Sequence, residues 1–214
     1  MTFISRSAGP ERALWLTAVL SVCYAIAAFV ASTTDPRQLA GEGVWMKPMK
    51  FGLSTGLYAA TLAWAVSVLG FEARRSPASR IACATASACS LFEIGYIAIQ
   101  AARAQPSHFN LSTPFHAAMY SLMAAAAIAL VLCAAVVGLM ALRDREMAVS
   151  PPVRWGIVCS FLAGAALSIL TGLAMGSRLS HHAGLSHREP PACPSRDGPS
   201  PRETSAFPTS SVCT

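Results

Sequence analysis

The sequence is short of charge. Only 12% of its 214 residues are Asp, Glu, Lys or Arg, against about 25% in an ordinary soluble domain. Aromatic residues make up 8% and hydrophobic residues 54%. That balance excludes a soluble cytosolic enzyme, a disordered regulator and a nucleic-acid-binding domain. It favours a chain whose solvent is lipid. The net charge of +6 comes from 16 Lys and Arg spread thinly between apolar runs. They form no basic face and no stacking platform, so nucleic acid is not an expected partner.

Chemical motifs are scarce too. There is no Walker A loop, no G-x-G-x-x-G, no G-x-S-x-G and no glycosidase-type carboxylate pair. Neither H-E-x-x-H nor H-x-x-E-H occurs, so no hydrolytic metal site is recognisable. No C-x-x-C is present, which removes a zinc knuckle or a thioredoxin-like centre. Of the seven cysteines, Cys23, Cys83, Cys89, Cys133 and Cys159 lie inside apolar runs, where Cys acts as a small hydrophobe. No repeat of 20–50 residues is visible, and no soluble domain.

What is present in quantity is long apolar sequence. A helix needs about 20 apolar residues to cross a bilayer. Five stretches qualify: 13–32, 51–70, 81–102, 117–142 and 155–176. Each must be helical, because lipid offers no partner to an open backbone amide. The fold class expected is all-α, a polytopic transmembrane helix bundle over 1–184. The first stretch follows Arg6 and Arg12 like a signal peptide, but it exceeds the usual 7–15-residue apolar core and reads as a retained anchor.

Alternating the spans sorts the loops. Arg6, Arg12, Arg74, Arg75, Arg80, Arg143, Arg145 and Arg154 share one side. Arg37, Lys47, Lys50, Arg103 and Arg178 share the other. The first set is larger, so the positive-inside rule puts the amino terminus in the cytoplasm of a bacterial inner membrane. The chemically unusual loops then face outward: Trp45 to Phe51, Arg103 to Asn110, and Ser177 to His182.

Two of these loops carry a likeness. Trp45, Lys47, Pro48, Lys50 and Phe51 form W-x-K-P-x-K-F. Arg103, Ser107, His108, Phe109 and Asn110 match an R-G-x-x-S-H-F-N pattern, with Ala104 in the glycine position. His181 and Gly184 begin a third, H-x-V-G-type pattern. Over about 40–183 the chain resembles an uncharacterised family of bacterial multi-spanning membrane proteins. The resemblance implies topology and site residues, and no activity.

The likeness ends near Gly184. Residues 185–214 are rich in Pro, Ser, Arg and Thr, and as protein they read as a disordered tail. A shifted frame through the same codons permits G-W-S…G-D-L-R-x-P-H-F-x-G-L-H, which resembles the family's continuation. The tail is therefore expected to be a frameshift product replacing further membrane helices. On that reading Cys193, Cys213 and His187 carry no function.

Polar groups inside the apolar runs supply the candidate site. Glu93 interrupts the third stretch, where a carboxylate costs roughly 2.5–3.5 kcal/mol on insertion scales unless it is protonated. Tyr96, Gln100 and Arg103 follow on the same helical face. The stripe suits a proton relay or a ligand-binding wall; the bland alternative is a Glu that bonds a neighbouring helix for packing. Lys47, Lys50, Ser54, Tyr58 and Thr61 recur at helical spacing, and either lysine could pair with Glu93, bind an anion or snorkel to the interface. Gly52 and Gly56 form a G-x-x-x-G that permits close helix contact. Met46, Met49, Met119 and Met123 read as gap fillers.

Three functions stay open. The first is a ligand-binding membrane protein whose outward pocket uses Trp45, Lys47, Lys50, Glu93, Tyr96, Gln100, Arg103, His108 and Asn110. Its ligand would be a small molecule, lipid headgroup, quinone or ion. The second is a redox, metal or haem protein that ligates through His108, His116, His181 and His182. The third is a structural partner in a homo- or hetero-oligomer joined through membrane helices. Whether the chain is an enzyme is left open. Transport has no support, since no inverted repeat or discontinuous helix pair is visible.

Overall fold

The computed structural model describes residues 9–39, 41–107 and 113–178. His108, Asn110, His181, His182 and the 185–214 tail lie outside the described residues. The apolar runs all become helices. They are α1 (Glu11–Thr34), α2 (Met46–Ser67), α3 (Phe71–Arg75), α4 (Pro77–Ala102), α5 (Pro114–Arg143) and α6 (Pro151–Arg178). A small hairpin of β1 (Gln38–Leu39) and β2 (Glu42–Gly43) sits between α1 and α2. It pairs Gln38 with Gly43 and Leu39 with Glu42. Gly41, at φ +82°, supplies the left-handed residue that so tight a turn needs.

Local chemistry fixes where helices begin. Ser76 caps α4 by accepting from the Ser79 amide at 3.2 Å, and Pro77 opens the helix where no amide is required. Thr113 and Pro114 repeat the arrangement at α5, with Thr113 Oγ1 accepting from the His116 amide at 3.2 Å. Both helices therefore start a few residues ahead of the expected spans at 81 and 117.

α1, α4, α5 and α6 are long and apolar enough to cross a membrane, which makes this a multi-span membrane protein in contact with the bilayer. Four of the five expected spans meet this measure. α2 has the length, 22 residues, but Lys47, Lys50, Ser54, Thr55, Tyr58 and Thr61 dilute its apolar character.

α1 and α2 pack along each other, α4 packs on both, and α5 joins α4 to α6. The α1–α2 contact is the G-x-x-x-G. A Cβ on Gly52 would lie 2.8 Å from the Tyr24 ring and 3.0 Å from the Ser21 carbonyl oxygen. One on Gly56 would lie 3.1 Å from Val22. The main core gathers Leu14, Leu62, Val66, Cys83, Val137 and Ile157. A second cluster, Tyr96, Ile97 and Met123, is flanked by Phe51, Phe92 and Met119.

The connections sort into two ends. At one, the Gly70 amide donates to Asp144 Oδ2 at 2.6 Å and the Ala148 amide donates to the Val68 carbonyl at 3.0 Å. Arg74 joins Glu11 there through an ion pair. At the other, Arg37 Nη1 donates to the Ala102 carbonyl at 3.0 Å, tying the β-hairpin to the end of α4. We call these the arginine end and the hairpin end. They reproduce the loop grouping read from the sequence.

Candidate functional site

The predicted stripe on α4 divides in two. Glu93 is 4% exposed and Gln100 1% exposed, and both belong to the buried face of the helix. Tyr96 is buried as well, whereas Arg103 is exposed. Tyr96, Gln100 and Arg103 line a groove of about 430 Å³ between α4 and α5. Leu91, Phe92, Ile99, Phe115 and Met119 form its apolar walls, and Gly95 leaves its floor open. The three polar residues fall at the end nearest the β-hairpin. Glu93 is absent from the lining.

The α4–α5 connection is built by the end of α4 itself. The Gln105 amide donates to the Gln100 carbonyl, and the Ala104 amide to the Ala101 carbonyl, both at 2.9 Å. This is a Schellman ending, with Ala104 at φ +52° as the left-handed residue. Glycine usually occupies that position. The Gln100 side chain extends the same anchor, donating to the Pro106 carbonyl at 3.2 Å. Gln100 thus serves both the groove wall and the loop.

Trp45, Lys47 and Lys50 lie across the bundle end, at the start of α2. The Trp45 indole donates to Asp35 Oδ2 at 2.8 Å. Arg37 grips the same carboxylate through Nε at 2.9 Å and Nη2 at 2.7 Å. The Arg37 guanidinium, and then the Trp45 indole, hold the Asp35 carboxyl well below the usual carboxylate range. A lowered value means the clasp is complete above that range and lost only as pH falls through the lowered one. Trp45 therefore acts as a strut between α1 and α2.

Lys50 lies 3.5 Å from Glu42. Both side chains are mostly exposed, and such a pair contributes little. No ion pair joins Glu93 to Lys47 or Lys50 among the described residues, so that expected partnership is not formed. Tyr58 leaves the expected α2 stripe and donates to the Leu130 carbonyl of α5 at 2.7 Å. Ser54 and Thr61 are exposed and bond their own helix at Lys50 and Leu57.

No known protein family, curated protein or solved structure matches this chain.

Of the four candidate histidines, His116 alone lies among the described residues. Among the described residues no three His, Cys, Asp or Glu side chains come together to hold a metal. His116 Nδ1 shares a 2.8 Å hydrogen bond with Thr113 Oγ1 at the start of α5. The five described cysteines are free, and Cys83 and Cys133 are buried in the bundle.

Sequence reasoning missed two groups. Asp35, which no motif singles out, joins α1, the β-hairpin and α2. Glu11 was placed outside the first span; it is fully buried in the first turn of α1 and paired with Arg74. An acid in a first helical turn suits the helix dipole, which was the one local signal for it. A second hollow of about 360 Å³ lies at the arginine end, lined in part by Ser76, Arg143 and Asp144.

Proposed function

We propose that this is a five-span bacterial inner-membrane protein with a cytoplasmic amino terminus, binding a small ligand at its outward end. The carrying observation is the α4–α5 groove. It combines apolar walls with a few convergent polar groups, the usual make-up of a small-molecule site. Its volume, about 430 Å³, falls within the roughly 300–1,000 Å³ typical of such sites. Arg103 offers a cation to a lipid headgroup or other anion, and Gln100 and Tyr96 offer hydrogen bonds to a quinone or carbonyl. Lys47 and Lys50 add positive charge at the same end, and His108 and Asn110 follow Pro106 closely in sequence. Trp45 holds the neighbouring turn in place.

Two observations support the wider reading. α2 packs against both α1 and α4, as a crossing helix would, and its polar side chains bond helix carbonyls.

The test is ligand-dependent unfolding of the purified chain in detergent, with an anionic phospholipid and a short-chain quinone as probes. A true ligand at 100 times its Kd stabilises the fold by about 2.7 kcal/mol. Arg103→Gln should remove the shift with the anionic lipid, and Gly95→Leu should remove it with either probe. No shift with either probe, or equal shifts in both variants, would leave the polar groups a packing role alone.

A further inference from the structure

The buried face of α4 carries polar groups beyond the expected stripe. Ser79, Cys83, Ser87, Ser90, Glu93, Tyr96 and Gln100 follow one another at steps of three or four residues. All seven are 8% exposed or less. Each step of a helical turn rises about 4.5–6 Å. A polar group therefore occurs at every turn, from the arginine end to the hairpin end, in a helix of 26 residues. Buried polar groups at membrane depth are costly unless partnered. Packing alone would be met by alanine, which the same helix uses freely at Ala82, Ala86 and Ala101.

Several of these groups lack partners. The hydroxyls of Ser87 and Ser90 have no hydrogen-bond partner among the described residues, and neither does Ser21 of the adjoining α1. Glu93, one turn from Ser90, is the only carboxyl on α4 and has no ion pair among the described residues. The titratable groups within electrostatic reach of it are Tyr58 of α2 and Cys89 of α4. Ser79 and Cys83 bond each other directly, and elsewhere along the row a bridging water would link one rung to the next. At the arginine end the row meets Cys83, Ser79 and the buried Glu11. At the hairpin end Gln100 reaches the loop through Pro106.

We propose that this face of α4 is a proton-transfer path through the bundle, with Glu93 as its central carrier. A proton arrives on one Glu93 oxygen, the carboxyl rotates, and the proton leaves to the next water or hydroxyl. Each hydroxyl or water accepts one proton and releases one, so only H⁺ moves. The path shares Tyr96 and Gln100 with the groove wall, but its central carrier, Glu93, lies outside the groove.

The experiment uses the full chain in vesicles that enclose a pH-sensitive dye, with a potassium diffusion potential as the driving force. The wild-type protein should carry protons faster than protein-free vesicles. Glu93→Gln should return the rate to the protein-free level, Glu93→Asp should retain flux, and Ser90→Ala should slow it. Ser160→Ala, on the exposed side of α6, should behave as wild type. The proposal is overturned if wild-type vesicles are no faster than protein-free ones. It is equally overturned if Glu93→Gln and Ser90→Ala both conduct like the wild type.

Discussion

At the scale of single residues, Ala104 is the clearest case of chemistry at odds with backbone. It holds φ +52° because the Schellman ending of α4 demands a left-handed residue. An L side chain in that region costs roughly 1–2 kcal/mol. Ala104→Gly relieves that cost, but the freer unfolded chain takes back about 0.4–1 kcal/mol. The net expectation is a gain of about 0.5–1 kcal/mol, read as a higher unfolding midpoint in denaturant. An unchanged or lower midpoint would mean that the helix ends in some other way. Asp35 shows a different lesson. Its two strongest partners, Arg37 and Trp45, come from either side of the β-hairpin. A local reading of the sequence sees an acid and a nearby arginine but not the indole ten residues on.

At the scale of elements, the helices were legible because lipid leaves the backbone no alternative. Their bounds were less so. Apolar runs mark where side chains meet lipid, whereas caps mark where backbone turns helical. Ser76–Pro77 and Thr113–Pro114 set the starts of α4 and α5 outside the apolar runs. The α1–α2 contact was legible in kind, from Gly52 and Gly56, though the partner surface on α1 was not. Gly52→Leu should destabilise the fold by about 1–3 kcal/mol or more through overpacking, because Tyr24 and the Ser21 backbone already occupy the space. Gly164→Leu on α6, where an added Cβ meets nothing within 4 Å, should leave stability near the wild type. Comparing their unfolding midpoints in one detergent checks both. Equal loss in the two variants would deny that the glycine contact is specific.

At the scale of the whole molecule, the decisive feature is how the loops gather. The β-hairpin and the α4–α5 connection meet at one end through Arg37 and Ala102. The amino-terminal turn of α1, α3 and the α5–α6 connection meet at the other through Arg74, Gly70 and Ala148. The grouping was legible from alternation alone. The bonds that enforce it link residues 63 to 80 positions apart, beyond the reach of any local pattern. The division of labour on α4 was also hidden. Spacing put Glu93, Tyr96, Gln100 and Arg103 on one face, and only packing separates a buried Glu93 from the groove that the other three line. Both the ligand groove and the proton path depend on α2 crossing the membrane despite its lysines and hydroxyls. The most direct test is single-cysteine labelling of Glu42→Cys and Glu72→Cys, which flank α2, with a reagent that cannot cross the membrane. In intact cells Glu42→Cys should label and Glu72→Cys should label only after permeabilisation; both labelling from the same side would contradict the account.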